Sequence, residues 1–131
     1  GKAMRLQQRD EHAPRQDPTS SRVWPASLFL AEQLEALLGL HSLRGKRILE
    51  LGSGTGLLGM AVAAQGGSVT MTDMPCAITS IDENIELNSQ LFAACNRPRT
   101  LPFFWGSDVG NLSPPYDMIL CSDLLYWGGW D

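Results

Sequence analysis

The sequence predicts an α/β fold, a mostly parallel sheet with helices on both faces. Three observations carry this. Apolar runs at 47–51, 68–72 and 117–122 have the length and composition of buried strands. Segments with apolar residues at helical spacing lie between the first strands, the alternation that builds parallel sheets through right-handed crossovers. A glycine-rich bend at 52–56 joins the first run to a helix, where doubly wound sheets place their ligands.

Each element has its own justification. Residues 1–8 are expected to form a short strand. Residues 9–22, rich in Arg, Asp, Gln, Pro and Ser, read as a flexible loop, so that 1–22 precede a domain spanning 23–131. Pro25 suits the first turn of a helix, Leu30, Leu34, Leu37 and Leu38 repeat at its spacing, and Gly39 is a natural stop. After the strand at 47–51 and the bend, 57–64 read as a helix closed by Gly66 and Gly67. The strand at 68–72 ends in Asp73, and Pro75 opens a helix whose apolar face runs through Ile78, Ile81 and Ile85 to Leu91 and Phe92. Residues 101–105 form a third strand, placed at a sheet edge because Pro102 has no N–H to donate. A loop at 106–115 leads to the fourth strand at 117–122.

Composition narrows the function classes. The chain has 131 residues, 44% hydrophobic and 18% charged, which fits one globular domain and not a disordered one. No apolar run approaches the roughly 18 residues of a membrane span, and the first 25 residues are too polar for a secretory signal. Ten basic against fourteen acidic residues, a net charge of −4, disfavours grip on a nucleic-acid backbone. Cys76, Cys95 and Cys121 form no CxxC pair and no cluster with His12 or His41, so no metal site is expected. They read as reduced, buried thiols of an intracellular protein, cytoplasmic or nuclear.

The bend carries the chemistry. Gly52, Gly54 and Gly56 let a ligand approach bare backbone, and Asp73, nineteen positions after Gly54, stands where a carboxylate accepts both hydroxyls of a ribose. An ordinary tight turn with a helix-capping Asp73 is the alternative. Gly54-Thr55-Gly56-Leu57-Leu58-Gly59 also satisfies the dinucleotide pattern, but there the first glycine follows the strand directly, and here that residue is Gly52. Glu50, at the strand's end and expected to aim into the pocket, would repel a pyrophosphate and attract a cationic sulfonium. S-adenosylmethionine is therefore favoured over NAD.

Glu50-Leu51-Gly52-Ser53-Gly54-Thr55-Gly56 resembles motif I of the seven-β-strand methyltransferases. With Leu6-Gln7-Gln8, Val23-Trp24-Pro25, Trp105-Gly106 and Ser122-Asp123-Leu124-Leu125-Tyr126, the chain resembles methyltransferase family 16, which contains many protein-lysine methyltransferases. The resemblance implies a Rossmann-like class I methyltransferase fold, with the chain ending after the fourth of the family's strands. It implies that Trp24, Gly52, Ser53, Gly54, Asp73, Trp105 and Ser122 line the S-adenosylmethionine site, beside Glu50 and Gly56. It also implies that Asp123 and Tyr126 form a D-x-x-Y motif next to a lysine of a protein substrate. A small-molecule or other side-chain acceptor, and a non-catalytic cofactor-binding module, remain as alternatives. Ser113-Pro114-Pro115-Tyr116 matches a motif of amide and adenine methyltransferases, but it precedes the fourth strand instead of following it and reads as a turn.

Overall fold

Burial along the strands shows which one is central. In Arg47–Leu51 (β1) the side chains of Ile48, Leu49 and Glu50 are all buried, as expected for a strand covered on both faces. It pairs in parallel with Ser68–Asp73 (β2) on one side and Met118–Cys121 (β4) on the other. Arg99–Pro102 (β3) pairs in parallel with β2, giving the order β3-β2-β1-β4. Among the described residues three α-helices, Pro25–Leu38 (α1), Leu57–Ala64 (α2) and Pro75–Leu87 (α3), pack on this sheet. This computed structural model describes residues 3–8, 20–39 and 41–125.

Register fixes the two faces. Ile48 stands opposite Val69 and Met118, and Glu50 opposite Met71 and Leu120. Side chains alternate along a strand, so these residues share one face. That face forms a single core with Leu34 of α1, Leu58, Met60 and Val62 of α2, and Ala77, Ile81 and Ile85 of α3. Ile48, Met60, Val62, Met71 and Ile81 are fully excluded from solvent, each burial contributing about 1.5–3 kcal/mol. The parallel α/β class stands, and all three described α-helices share this core. The reason is topological. The steps β1 to β2 and β2 to β3 run in the same direction across the sheet, and right-handed crossovers then put both connecting helices on the same side.

The opposite face meets the chain between β3 and β4. Arg99 Nε donates to Thr70 Oγ1 at 2.8 Å, and the Tyr116 hydroxyl donates to Leu112 O in a 3-10 helix, Val109–Leu112. At the β4 edge that face is open, with Ile119 57% exposed.

Several boundaries differ from expectation. Residues 3–8 form no strand, because their backbone partners are side chains and not another strand. Arg5 N–H donates to Asn88 Oδ1 at 2.7 Å, and Gln7 N–H to Asn84 Oδ1 at 2.8 Å. Most of the loop expected at 9–22 lies outside the described residues. α1 starts at Pro25 and stops before Gly39 (φ 88°) as expected, but Leu37 and Leu38 are exposed. α3 ends at Leu87, where Asn88 N–H turns back to Ile85 O, so Leu91 lies in a separate 3-10 helix and Phe92 beyond it. β3 begins and ends earlier than 101–105, and Trp105 falls in the following turn. Its position at the sheet edge agrees with Pro102. The fourth strand is shorter than 117–122. All three cysteines are exposed, not buried: Cys121 lies on the open face of β4, Cys76 in the first turn of α3, and Cys95 in the 3-10 helix Ala94–Asn96.

Candidate cofactor site

The bend after β1 is built from backbone. Gly52 and Gly54 adopt φ of 64° and 56°, a region costly for residues with a Cβ. Ser53 N–H donates to Thr72 O at 3.0 Å, and Gly56 N–H closes the turn on Ser53 O at 2.7 Å. Gly54 N–H donates to Asp73 Oδ2 at 2.7 Å, while Met74 N–H donates to Asp73 Oδ1 at 2.7 Å. Two features nineteen residues apart in the sequence thus meet at the tips of β1 and β2, and the carboxylate is oriented by two N–H groups.

Glu50 is at this end of the sheet but not open to it. It lies on the helix-covered face, 3% exposed, and its carboxyl is so close to Gly59 that a Cβ there would overlap Oε2. Burial pushes its pKa up to about 8. The Ser53 hydroxyl and the Gly59 N–H nearby pull it down, and the Asp73 carboxylate adds to the rise. The expectation of an ionised carboxylate facing the pocket is corrected: with no ligand bound, Glu50 is mostly protonated at neutral pH. Glu50 Oε2, Ser53 Oγ and Ser122 Oγ are buried without a hydrogen-bond partner among the described residues.

The walls come from three segments. A Cβ on Gly52 would overlap Leu124 Cδ2 and stand 3.7 Å from the Trp105 ring, so the chain after β3 and the chain after β4 converge over the bend. A Cβ on Gly54 would stand 3.9 Å from Ser20 O, which brings the segment leading to Trp24 over the other side. Trp24 itself sits at the start of α1, 39% exposed, where Ser27 Oγ donates to its carbonyl at 2.8 Å. Asp123, exposed and at φ 56°, is the second residue after β4, while Tyr126 lies outside the described residues. Sequence reasoning missed Leu124 and Asn84. Asn84 Nδ2 donates to Thr55 O within the bend at 3.0 Å. Its signal was an asparagine on the apolar face of α3, between Ile81 and Ile85.

Ser113-Pro114-Pro115-Tyr116 is a turn at the opposite end of the sheet. Arg47, at the start of β1, donates to Pro115 O at 2.6 Å and Ser113 O at 2.7 Å, and its guanidinium lies 5.0 Å from the Tyr116 ring centre. Among the described residues no cluster of His, Cys, Asp or Glu suits a metal ion, and no helix is long and apolar enough to cross a membrane.

Comparison with known proteins agrees with this geometry. The profile of methyltransferase family 16, described as lysine methyltransferase, matches residues 7–128. The chain belongs to this lysine methyltransferase family. Among its family relatives are EEF1A lysine methyltransferase 3 of Mus musculus, 37% identical over 107 residues, and protein N-lysine methyltransferase METTL21A of Mus musculus, 35% identical over 115 residues. These matches cover 82% and 86% of this chain but 44% and 50% of the relatives, so the chain spans about half the length of the proteins it matches. Two solved structures share the fold. The 16S rRNA N2 G1207 methyltransferase of T. thermophilus, in complex with AdoMet and guanosine, superposes with a TM-score of 0.63 at 29% identity, over 82% of this chain and 28% of that one. Magnesium protoporphyrin IX methyltransferase of Synechocystis, with bound SAH, gives 0.55 at 21% identity, over 72% of this chain and 39% of that one.

Proposed function

We propose that this chain carries the cofactor site of an S-adenosylmethionine-dependent methyltransferase acting on a lysine side chain of a protein. The observation that carries the reading is the hydrogen bond from Gly54 to Asp73 across the tips of β1 and β2, which sets bare backbone beside a fixed carboxylate. A nucleoside fits this arrangement: ribose hydroxyls on Asp73, the chain of the cofactor along Gly52, Ser53, Gly54 and Gly56, and Trp24, Trp105 and Ser122 as walls. The buried, unpartnered hydroxyls of Ser53 in the bend and Ser122 after β4 support a polar ligand there. The names of the relatives support lysine as acceptor. The exposed cysteines, unpaired in the structure, agree with a reducing compartment, cytoplasm or nucleus.

S-adenosylmethionine supplies a methyl group already activated on a sulfonium. The protein's tasks are alignment, worth roughly 7–11 kcal/mol when complete, and exclusion of water. The lysine must be neutral, and from a reference pKa of about 10.4 that costs roughly 4 kcal/mol near pH 7.4. An exposed Asp123 carboxylate favours the ammonium, so its role is to recognise and orient the incoming amine, not to remove its proton. Tyr126 would hydrogen-bond the amine or offer its ring to the cation.

Calorimetry with S-adenosylhomocysteine and with NAD tests the cofactor, and mass spectrometry of a cell lysate methylated by the complete chain tests the acceptor. Binding of S-adenosylhomocysteine alone and methyl groups on lysine are expected. Preference for NAD, or methyl groups confined to other acceptors, overturns the reading.

A further inference from the structure

Two amides are buried at the end of α3, Asn84 on its apolar face and Asn88 just past its last residue, and they are not equivalent. Asn84 and Asn88, one turn apart, are both fully excluded from solvent. A buried amide is costly unless its groups are bonded. Both grip the backbone of residues 3–8 in the same way, accepting from one N–H and donating to the carbonyl of the same residue. Asn88 does so with Arg5, and Asn84 with Gln7, whose carbonyl lies 3.2 Å away. Their remaining bonds differ. Asn88 Nδ2 donates to Asn84 O at 2.7 Å, closing the C-terminal end of α3. Asn84 Nδ2 donates at 3.0 Å to the carbonyl of Thr55, the buried residue between Gly54 and Gly56. The bend is therefore pinned from two sides, by Asp73 on β2 and by Asn84 on α3.

We propose that Asn84 is a positioning residue for the cofactor bend, linking the 3–8 segment to the nucleoside site. The inference rests on the methyltransferase reading for the ligand, but not for the order of the bend. A purely structural amide would behave like its neighbour Asn88, which supplies the control.

The test uses the complete chain with Asn84→Ala, Asn88→Ala and Gln7→Pro, the last removing the N–H that Asn84 accepts while leaving α3 intact. Thermal unfolding, amide hydrogen exchange of residues 54–56 without ligand, and calorimetry with S-adenosylhomocysteine are measured on each. Both asparagine variants are expected to lower Tm. Of the two asparagine variants, only Asn84→Ala should speed exchange of 54–56 and weaken S-adenosylhomocysteine, each by about 10-fold, the equivalent of about 1.4 kcal/mol. Asn88→Ala should stay within about 2-fold, and Gln7→Pro should weaken binding by about 3-fold, the part of the effect that passes through the 3–8 segment. Equal effects from the two asparagines, or unchanged exchange and affinity in Asn84→Ala, overturn the proposal. Should Asn84→Ala not fold, Gln7→Pro decides, and unchanged exchange at 54–56 counts against the link. Failure of the unaltered chain to bind S-adenosylhomocysteine would sink the proposed function instead, while the exchange comparison still judges Asn84.

Discussion

The two sides of β1 are built differently. Toward β2, the bend, Asp73, Thr72 and α3 form a closed set of hydrogen bonds over a buried core. Toward β4, Ile119, Cys121, Asp123 and Leu125 are exposed, Leu125 at 92%. Under the proposed function the contrast would separate two tasks: the β2 side would hold the nucleoside, and the β4 side would meet the acceptor. Substitutions on the two sides should therefore fail in different ways.

The largest effect is expected from Asp73→Ala. It removes a charged acceptor from the bend and from a ribose, about 3 kcal/mol or more. Calorimetry should show affinity for S-adenosylhomocysteine reduced more than about 100-fold. Asp123→Ala should do the reverse, slowing lysine methylation by about 100-fold through misplacement of the amine while cofactor affinity stays within about 2-fold. Matching losses of affinity in both variants would erase the distinction between the sides.

Gly56→Val probes the core beneath the bend. Gly56 has φ 83°, and a Cβ there would overlap Met71 Cε and approach Ile81 Cγ2 to 3.2 Å. Urea unfolding should register a loss of about 2 kcal/mol. Glu50 sets a pH dependence. Its carboxyl rises from 4.5 in the unfolded chain to about 8 when folded, so the native state holds the extra proton between those values. Its stabilising contribution is complete below about pH 4.5 and is lost as pH climbs through about 8, at no more than about 1.4 kcal/mol per pH unit. Unfolding of the unliganded protein at pH 5, 6.5 and 8 should show this decline, and Glu50→Gln should flatten it. The smallest effect belongs to the open edge: Ile119→Lys should change stability by less than about 0.5 kcal/mol and leave cofactor affinity alone.

What the sequence disclosed was local. β1, the bend, α2 and β2 are contiguous, and their glycines and apolar runs stand next to one another, so their order and the place of Asp73 were legible. The role of residues 3–8 was not, because its partners Asn84 and Asn88 lie 77 and 83 positions away and bond through side chains. Both bounds of β3 were misplaced because its first residues, Arg99 and Thr100, are polar, while the apolar run continues through Phe103, Phe104 and Trp105 after pairing with β2 has ended. Glu50 was placed at the right end of β1, but which face it takes depends on the register and on α2 above it. The exposure of the cysteines likewise depends on how far the sheet and helices are covered, which no local pattern encodes.

A crystal structure of the complete chain with S-adenosylhomocysteine tests the central claim most directly. The ribose hydroxyls should lie within hydrogen-bond distance of the Asp73 carboxylate, with the rest of the molecule running along Gly52, Ser53 and Gly54. A ligand seated elsewhere, with the bend unvisited, would contradict it.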